Sequence, residues 1–453
     1  MIIRSSLLKT ISKIQFLAST NSFAKNLSAM GLAQIAVRAS RLITTILLSR
    51  WLAPEIFATA AIVLTVYEFV SLFTRNGISS AVIQATAEDV DATAMTAWRM
   101  TWIACFTLLL VQCALAYPIA WFYHNNKLEI PIIAMSAIYL VTPMSNIQAA
   151  FQQREGKLGR MALASATQVI ADNILTACFA LAGFDIWAII LPKLLVAPIW
   201  LVMVRKGHPW RPINMPGIAK FYGWNKIARY SRSVLGTEIL ATVQANIDNL
   251  LVGYFLGLHA LGIYYFAFNA GLGLTLGFIS AISIAVFPYL CEVNTDKVAL
   301  ASRFFQTRKR TGIGLSIIII LQSLLAPIYV PLVFGSKWVE AAPILSIICL
   351  SALVRPFACI TGQLLKAIGK PEIEMRWQFI NTIILIVALV IACQFNTLTV
   401  AIAVLVVQTT VLGLFSWFVP KIIFEPASIL TSASTRVPAF PRLNKFNLRG
   451  LLP

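Results

Sequence analysis

The sequence predicts an all-α integral membrane protein of about twelve transmembrane helices, arranged as two six-helix repeats around a central cavity. Three observations predict this fold class: the composition, a series of long apolar runs, and short motifs that recur in both halves. Of the 453 residues, 59% are hydrophobic and only 12% are charged, which is unlike a soluble domain.

The apolar runs are each about twenty residues long, the length that crosses the hydrocarbon core as a helix. Several contain proline, which membrane helices tolerate when neighbouring helices or water satisfy the freed carbonyl groups. The predicted spans are 28–49, 55–75, 99–122, 130–151, 161–182, 186–204, 233–255, 260–288, 312–334, 342–365, 377–394 and 399–420.

Recurring motifs indicate an internal duplication. The apolar segment 77–82 is echoed by 281–286 at an offset of 204 positions (282 − 78 = 204). Gly156-Lys157, before the fifth span, is echoed by Gly369-Lys370 before the eleventh. Several transporter folds consist of two such parallel halves around a cleft. We therefore expect a basic arm, a first half, a basic linker, a second half and a basic, disordered tail: 1–27, 28–204, 205–232, 233–420 and 421–453.

The net charge is +19, and the basic residues lie mostly on one predicted side of the membrane. Lys and Arg concentrate in the N-terminal arm and after the fourth, sixth, eighth, tenth and twelfth spans, whereas the opposite loops contain only Arg50, Lys127 and Lys337. This asymmetry follows the positive-inside rule and predicts that both termini are cytoplasmic. The basic excess then reflects topology and attraction to anionic membrane lipids, and it requires no nucleic-acid partner.

Signals for catalysis or metal binding are weak. The seven cysteines are scattered without a paired spacing, and the three histidines lie in separate loops. Asp89 and Asp91 have the spacing of a metal-binding sugar-transfer motif, but they lie in a short loop without a nucleotide-binding domain. No glycine-rich phosphate loop is present. We expect no catalytic residue, no metal and no bound cofactor.

Several short motifs resemble those of bacterial polysaccharide-transport (Wzx-type) flippases. They are the corner 48–57, the helix end 76–84, the segment 151–157, the segment 254–264 and Phe287-Pro288. The resemblance covers about residues 27–420 and extends to the multidrug/oligosaccharidyl-lipid/polysaccharide exporter superfamily. It implies an inner-membrane exporter that moves an undecaprenyl-diphosphate-linked oligosaccharide to the outer leaflet for O-antigen, capsule or exopolysaccharide synthesis. It also implies that a polysaccharide polymerase and other assembly proteins are partners.

Charged side chains inside the spans are the candidate site residues. An ionisable group at mid-span costs ~2.5–3.5 kcal/mol on insertion scales, so it usually faces a cavity or a partner. Guanidinium groups bind phosphate in bidentate geometry, which suits the diphosphate that the resemblance implies. The four bases are the predicted substrate-binding residues: Arg38, Arg41, Arg355 and Lys193. The four acids are candidates for coupling to an H⁺ or Na⁺ gradient: Asp248, Asp172, Glu68 and Glu238.

A structural interpretation of the same charges stays open. Four bases and four acids cancel, as fixed ion pairs would require. Asp172 and Lys193 come to similar depth in consecutive spans, and so do Arg41 and Glu68.

Two other functions stay open as well. A multidrug or cation antiporter of the same superfamily would share this fold, although the candidate cavity residues here include several bases rather than a lone acid. A membrane polymerase or ligase usually carries a large periplasmic loop, whereas the outward loops of this chain are short. The sequence therefore favours a transporter over an enzyme.

Overall fold

The computed structural model describes residues 36–74, 77–86, 88–212, 223–293 and 295–424, and this part of the chain is helical without strands. The predicted arm 1–27, the middle of the linker and the tail beyond Phe424 lie outside the described residues. The α-helices are α1 (36–51), α2 (Pro54–Ser71), α3 (Gly77–Gln84), α4 (Val90–Phe122), α5 (Glu129–Ser136), α6 (Ile138–Val141), α7 (Asn146–Arg154), α8 (Leu158–Leu181), α9 (Trp187–Gly207), α10 (Trp224–Phe255), α11 (Gly257–Cys291), α12 (Lys297–Tyr329), α13 (Ala341–Ser351), α14 (Arg355–Ala367), α15 (Pro371–Ala392) and α16 (Thr397–Phe424).

The membrane class is confirmed by the apolar outer surface of the bundle. Within the described residues, nine helical segments are long and apolar enough to cross a bilayer. On α12, Ile317, Leu321, Leu324 and Ile328 are 56–71% exposed at helical spacing, which forms a continuous apolar stripe. A soluble protein rarely exposes such a stripe, so this face lies against lipid. The count of twelve spans stays a prediction.

Two predicted spans are interrupted helices. The span 130–151 consists of α5, α6 and α7, with a 3₁₀ turn at Thr142–Met144 around Pro143. The span 342–365 consists of α13 and α14, which are separated by 352–354 just before Pro356. Proline lacks a backbone N–H and its ring crowds the preceding turn, so the helix breaks at these points.

These interruptions occupy equivalent positions, and they support the duplication. Pro356 follows Pro143 by 213 positions (356 − 143 = 213), and α15 begins 213 positions after α8 (371 − 158 = 213). Gly156 and Gly369 share this offset and have φ values of 71° and 72°. This left-handed conformation is costly for residues with a Cβ atom, so the glycines recur because the turn requires them.

The connection between the halves is shorter than the predicted linker 205–232. Helix α9 continues to Gly207, and α10 begins at Trp224, after Gly223 in a left-handed conformation. Apolar periodicity could not show this extension, because the added first turns of α10 contain several charged residues. We call α1–α9 the first half and α10–α16 the second half.

The halves meet mainly through α2 and α11. Near the start of both helices, Gly262 lies directly against the backbone carbonyl of Pro54, where no larger residue would fit. We call this end of the bundle, which carries the connections 52–53, 123–128, 182–186 and 335–340, the corner end. The other end carries 155–157, 208–212 and 368–370 and is rich in Lys and Arg, so we call it the basic end.

Candidate functional site

A central cavity of about 410 Å³ lies between the halves. Its walls come from α1, α2, α8 and α9 of the first half and from α10 and α11 of the second. Both halves contribute polar side chains, so a rocking motion of one half against the other would reshape the site. The polar lining residues are Arg41, Thr44, Thr45, Thr65, Tyr67, Glu68, Asp172, Asn173, Thr176, Lys193, Asn246, Tyr265 and Asn269.

A second cavity of about 390 Å³ adjoins the first toward the basic end. It lies between α1, α7 and α8, and Arg38 and Arg41 line it together with Gln153 and Ser165. None of its described lining residues is acidic. We call it the arginine cavity. Arg41 lines both cavities and therefore joins them.

The Arg41 side chain is exposed and makes no hydrogen bond or ion pair with any residue that the structure describes. It lies within electrostatic reach of Arg38, one turn away on α1. Two guanidinium groups on one helix face repel each other, and an anion between them would relieve that repulsion. Among the described residues, therefore, nothing occupies the N–H donors of Arg41 in the cavity.

Arg38 instead spans the two halves. Its Nη1 donates a hydrogen bond of 2.6 Å to the carbonyl of Gly273 on α11. The guanidinium lies against Gly277, one turn further along α11, where a Cβ atom would overlap it. The absence of a side chain at Gly277 thus admits an arginine from the opposite half.

Lys193 and Asp172 form an ion pair in the wall of the central cavity, with 3.0 Å between Nζ and Oδ2. Both side chains are largely buried, at 30% and 16% exposure. Asp172 Oδ1 is buried without a hydrogen-bond partner among the described residues. The pairing that the sequence suggested from helix depth is therefore present.

Glu68 does not pair with Arg41, although both line the central cavity. Glu68 Oε2 accepts a hydrogen bond of 2.9 Å from Asn246 Nδ2, which links α2 to α10. Asn246 Oδ1 accepts a hydrogen bond of 3.5 Å from the Thr65 hydroxyl, so both the oxygen and the nitrogen of this amide are hydrogen-bonded to α2. This contact places an acid at the junction of the halves.

Asp248 and Arg355 lie away from both cavities, inside the second half. Asp248 is buried and accepts hydrogen bonds from the Tyr264 hydroxyl, at 2.9 Å, and from the backbone N–H of Asn249. Arg355 is within electrostatic reach of both side chains. Glu238 lies on α10 and also lines neither cavity. The structure thus brings together five of the eight charged candidates and separates Asp248, Arg355 and Glu238 from them.

The corner end is closed by polar contacts between the halves. Lys337 Nζ donates to the carbonyls of Arg50 and Leu52, each at 2.9 Å, and Trp338 Nε1 donates to Ser49 O at 2.7 Å. At the rim, Glu55 Oε1 lies 2.6 Å from His259 Nδ1. We call this set of contacts the corner seam. Glu55 and His259 are equivalent in the two repeats (259 − 55 = 204), so their contact marks the pseudo-symmetry axis.

An aromatic cluster lies between the corner seam and the central cavity. Phe266 stacks on Trp338 with ring centroids 3.9 Å apart, and Phe57 of the first half packs edge-on against both. Phe57 and Phe266 also line the central cavity. These buried rings exclude water, so the cavity is sealed on this side.

Sequence reasoning missed the seam, the aromatic cluster and the role of Gly277. The four-residue spacing of Gly273 and Gly277 is a known signal for close helix approach in membranes and could have indicated the α1–α11 contact. No comparable sequence signal marks Phe57, which is one of many apolar residues in its span, or Trp338, which lies in a predicted loop.

Two pseudo-symmetric helical halves, a polar cavity between them and a seal at one end define an alternating-access membrane transporter. The chain belongs to the polysaccharide biosynthesis protein family, whose pattern matches residues 47–343, more than half of the chain. This confirms the resemblance found in the sequence and favours transport over catalysis.

Curated relatives of the chain come from several bacteria. A membrane protein in the cps region of Klebsiella pneumoniae is 24% identical over 82% of this chain and 77% of its own length. The amylovoran biosynthesis protein AmsL of Erwinia amylovora is 25% identical over 62% of this chain and 72% of its own length. The lipopolysaccharide biosynthesis protein WzxC of Escherichia coli is 24% identical over 65% of this chain and 61% of its own length.

Solved structures share the fold at low sequence identity. The lipid II flippase MurJ in an inward closed conformation superimposes with a TM-score of 0.74, at 13% identity and 89% coverage of both chains. A multidrug-resistance MATE family transporter in its inward-facing form has a TM-score of 0.69, at 13% identity. The match covers 86% of this chain and 98% of that transporter.

Proposed function

We propose that the chain flips an undecaprenyl-diphosphate-linked oligosaccharide from the inner to the outer leaflet of the bacterial inner membrane, for surface polysaccharide synthesis. The observation that carries this proposal is the arginine cavity, which presents two guanidinium groups and no carboxylate among its described lining residues. A diphosphate loses its hydration on entering the membrane, and bidentate arginine contacts replace the lost hydrogen bonds.

The substrate enters from the basic end, which the positive-inside rule assigns to the cytoplasm. Its diphosphate binds Arg41 first, because that side chain has no other partner among the described residues. Its sugars extend into the central cavity, whose polar lining carries hydroxyl and amide groups of the kind that bind saccharides. The undecaprenyl tail stays in the surrounding lipid.

Arg38 connects substrate binding to the movement of the halves. A phosphate oxygen is a stronger acceptor for a guanidinium than a helical carbonyl, which already accepts a bond within its own helix. Substrate therefore draws Arg38 away from Gly273 and loosens α1 from α11. The halves then rock, the corner seam opens, and the sugars reach the outer side.

Among the acids, Glu68 is the proposed coupling residue, because it lines the central cavity and bonds across the halves to Asn246. Binding of H⁺ or Na⁺ there would change a contact between α2 and α10, whereas Asp248 and Glu238 line neither cavity. Removal of the product by a polymerase on the outer side is the other source of directionality, and such a polymerase is a proposed partner.

A deletion strain tests the function. We expect loss of surface polysaccharide and accumulation of lipid-linked saccharide in the inner leaflet, with both effects reversed by the cloned gene. Normal polysaccharide would reject the proposal and direct attention to drug efflux. Saccharide that reaches the outer leaflet but stays unpolymerised would indicate a polymerase instead.

A further inference from the structure

A cavity of about 920 Å³ opens at the corner end, beside the corner seam, and the transport path described above does not use it. It is more than twice as large as the central cavity. Its lining comes mainly from three neighbouring segments of the first half, 55–59, 124–131 and 182–187. We call it the corner vestibule.

The corner vestibule and the central cavity lie back to back. Ile56 and Thr59 of α2 line the vestibule, whereas Phe57 and Ala60 of the same helix line the central cavity. Helix α9 likewise presents Trp187 to the vestibule and Lys193 to the central cavity. A ligand that leaves the central cavity when the corner seam opens would therefore emerge beside the vestibule.

The rim belongs to the corner seam itself. Glu55 lines the vestibule and also contacts His259 across the axis. Opening the seam frees the Glu55 carboxylate at the edge of the vestibule, at the moment when the ligand emerges.

The vestibule combines unpaired polar groups with exposed apolar surface. In the part of the chain that the structure describes, the side chains of His124, Asn126 and Asp185 make no hydrogen bond or ion pair. Ile130 and Phe184 are 65% and 46% exposed in the same cavity. Saccharides are recognised by this combination, since amides and carboxylates bond their hydroxyl groups while apolar side chains cover their C–H faces.

Backbone conformation gives a second, independent indication. Among the described residues, His124 and Asp185 are the two non-glycine residues with positive φ, at 51° and 46°, and both line the vestibule. His124 ends α4 in the same left-handed turn in which Gly183 ends α8. Glycine adopts this conformation without strain, whereas a residue with a Cβ atom does so at a cost, and such residues cluster at functional sites.

We propose that the corner vestibule binds the saccharide portion of the lipid-linked substrate after it has crossed the membrane. This inference rests on the proposed function, because it requires saccharide to arrive from the central cavity. Binding of the sugars there holds the product on the outer side and disfavours its return.

The strained histidine allows a test in which stability and function respond in opposite directions. His124→Gly removes the side chain and relieves the turn, so the thermal unfolding temperature should stay equal or rise. Export of surface polysaccharide should fall about threefold to tenfold, as expected for one lost polar contact. His124→Asn, which tolerates the left-handed conformation and keeps hydrogen-bonding groups, should retain most of the export. Wild-type export by His124→Gly would remove His124 from the site and contradict the proposal.

Photo-crosslinking locates the ligand directly in the full-length protein. A photoreactive amino acid is placed at Asn126 in the vestibule, at Thr45 in the central cavity or at lipid-facing Ile402. Cells grown on radiolabelled glucose supply labelled saccharide as the probe. We expect labelled adducts at Asn126 and Thr45 but not at Ile402, and loss of the Asn126 adduct when Arg41→Ala blocks transport.

The remaining outcomes separate the two proposals. An adduct at Thr45 without one at Asn126 would overturn the vestibule site and leave the flippase intact. No adduct at either position would overturn both. An Asn126 adduct that persists with Arg41→Ala would show that saccharide enters from outside rather than through the chain, and would overturn the inference.

Discussion

At the scale of single residues, the charges inside the bundle have different partners, and their partners suggest their roles. Lys193 and Asp172 neutralise each other at 3.0 Å, Arg38 bonds a carbonyl of the opposite half, and Arg355 lies near Asp248 inside the second half. Arg41 has no such partner among the described residues and lines both cavities. It is therefore the side chain best placed to bind an anion.

Arg41→Ala should lower export about tenfold to a hundredfold, because charge-assisted hydrogen bonds contribute ~1.5–3 kcal/mol. Arg41→Lys keeps the charge but loses the bidentate geometry, so it should retain intermediate export. Surface polysaccharide, normalised to the amount of protein in the membrane, is the measurement.

Thr45→Val is the matched control in the same cavity. It keeps the volume of the side chain, and the Thr45 hydroxyl is already bonded to the carbonyl of Arg41 within α1. We expect export close to wild type. Equal export by Arg41→Ala and Thr45→Val would exclude Arg41 from the substrate site.

The ion pair of Lys193 and Asp172 should behave as a structural pair. Lys193→Met alone leaves the Asp172 carboxylate without its partner and should destabilise the protein by ~1–3 kcal/mol. The double variant Lys193→Met, Asp172→Asn removes both charges and should recover much of that loss. Thermal unfolding of the purified protein measures both effects, and a double variant less stable than Lys193→Met would contradict a pairwise role.

The sequence identified the charged residues and one of their pairings, but not the other partners. Helix depth indicated that Lys193 and Asp172 could pair, because both lie on consecutive spans of one half. The partner of Arg38 is a backbone carbonyl on a helix of the other half, which no side-chain pattern could show. Arg355 is the first residue of α14, directly after the break at 352–354, and the apolar pattern did not predict that break.

At the scale of the helices, the proposed mechanism requires the contact between α1 and α11 to be released during transport. The guanidinium of Arg38 occupies the space beside Gly277, whereas nothing lies within 4 Å of a Cβ atom added at Gly273. Two glycines one turn apart thus differ in what surrounds them. This difference provides a test in which the substitution is the same at both positions.

Gly277→Ala should displace Arg38, since a methyl group and the guanidinium cannot share that space. The side chain of Arg38 is flexible, so the fold should survive while the rate of export changes severalfold. Gly273→Ala should export normally and unfold at an equal or higher temperature, because alanine favours the helix over glycine by ~1 kcal/mol. Identical export rates for the two variants would show that the Arg38 contact has no part in transport.

The long apolar runs in the sequence predicted a bundle of membrane-spanning helices, but they did not predict the breaks inside the spans 130–151 and 342–365. Length and apolarity fix where the chain crosses the membrane, since any run of about twenty apolar residues suffices. Breaks depend on whether neighbours satisfy the carbonyls freed by proline. Pro143 and Pro356 interrupt their spans, whereas Pro192 and Pro198 stay inside the continuous helix α9.

At the scale of the whole molecule, the structure is sealed at the corner end, and its arginine cavity lies toward the basic end. The corner seam and the aromatic cluster join the first half to the second over the same face. Alternating access requires this face to open. The contacts on this face therefore affect the equilibrium between the state closed at the corner end and the outward-open state.

Gly262→Ala should shift that balance toward the outward-open state. A methyl group at this position meets the rigid backbone carbonyl of Pro54, so α2 and α11 must separate. In a background without native cysteines, we expect Thr65→Cys in the central cavity to react faster with an impermeant maleimide added outside. The control is Gly273→Ala on the same helix, which should leave the reaction unchanged. Equal reaction rates with and without Gly262→Ala in folded protein would refute the assignment of the corner seam as the outer gate.

The most direct test of the central claim uses the purified chain in proteoliposomes that contain lipid-linked saccharide from the deletion strain. An added glycosidase first cleaves only the saccharide on the outer surface. With the wild-type chain we predict that the inner pool also becomes accessible over time, and that Arg41→Ala slows this phase at least tenfold. An inner pool that stays protected in the presence of folded wild-type protein would contradict the account.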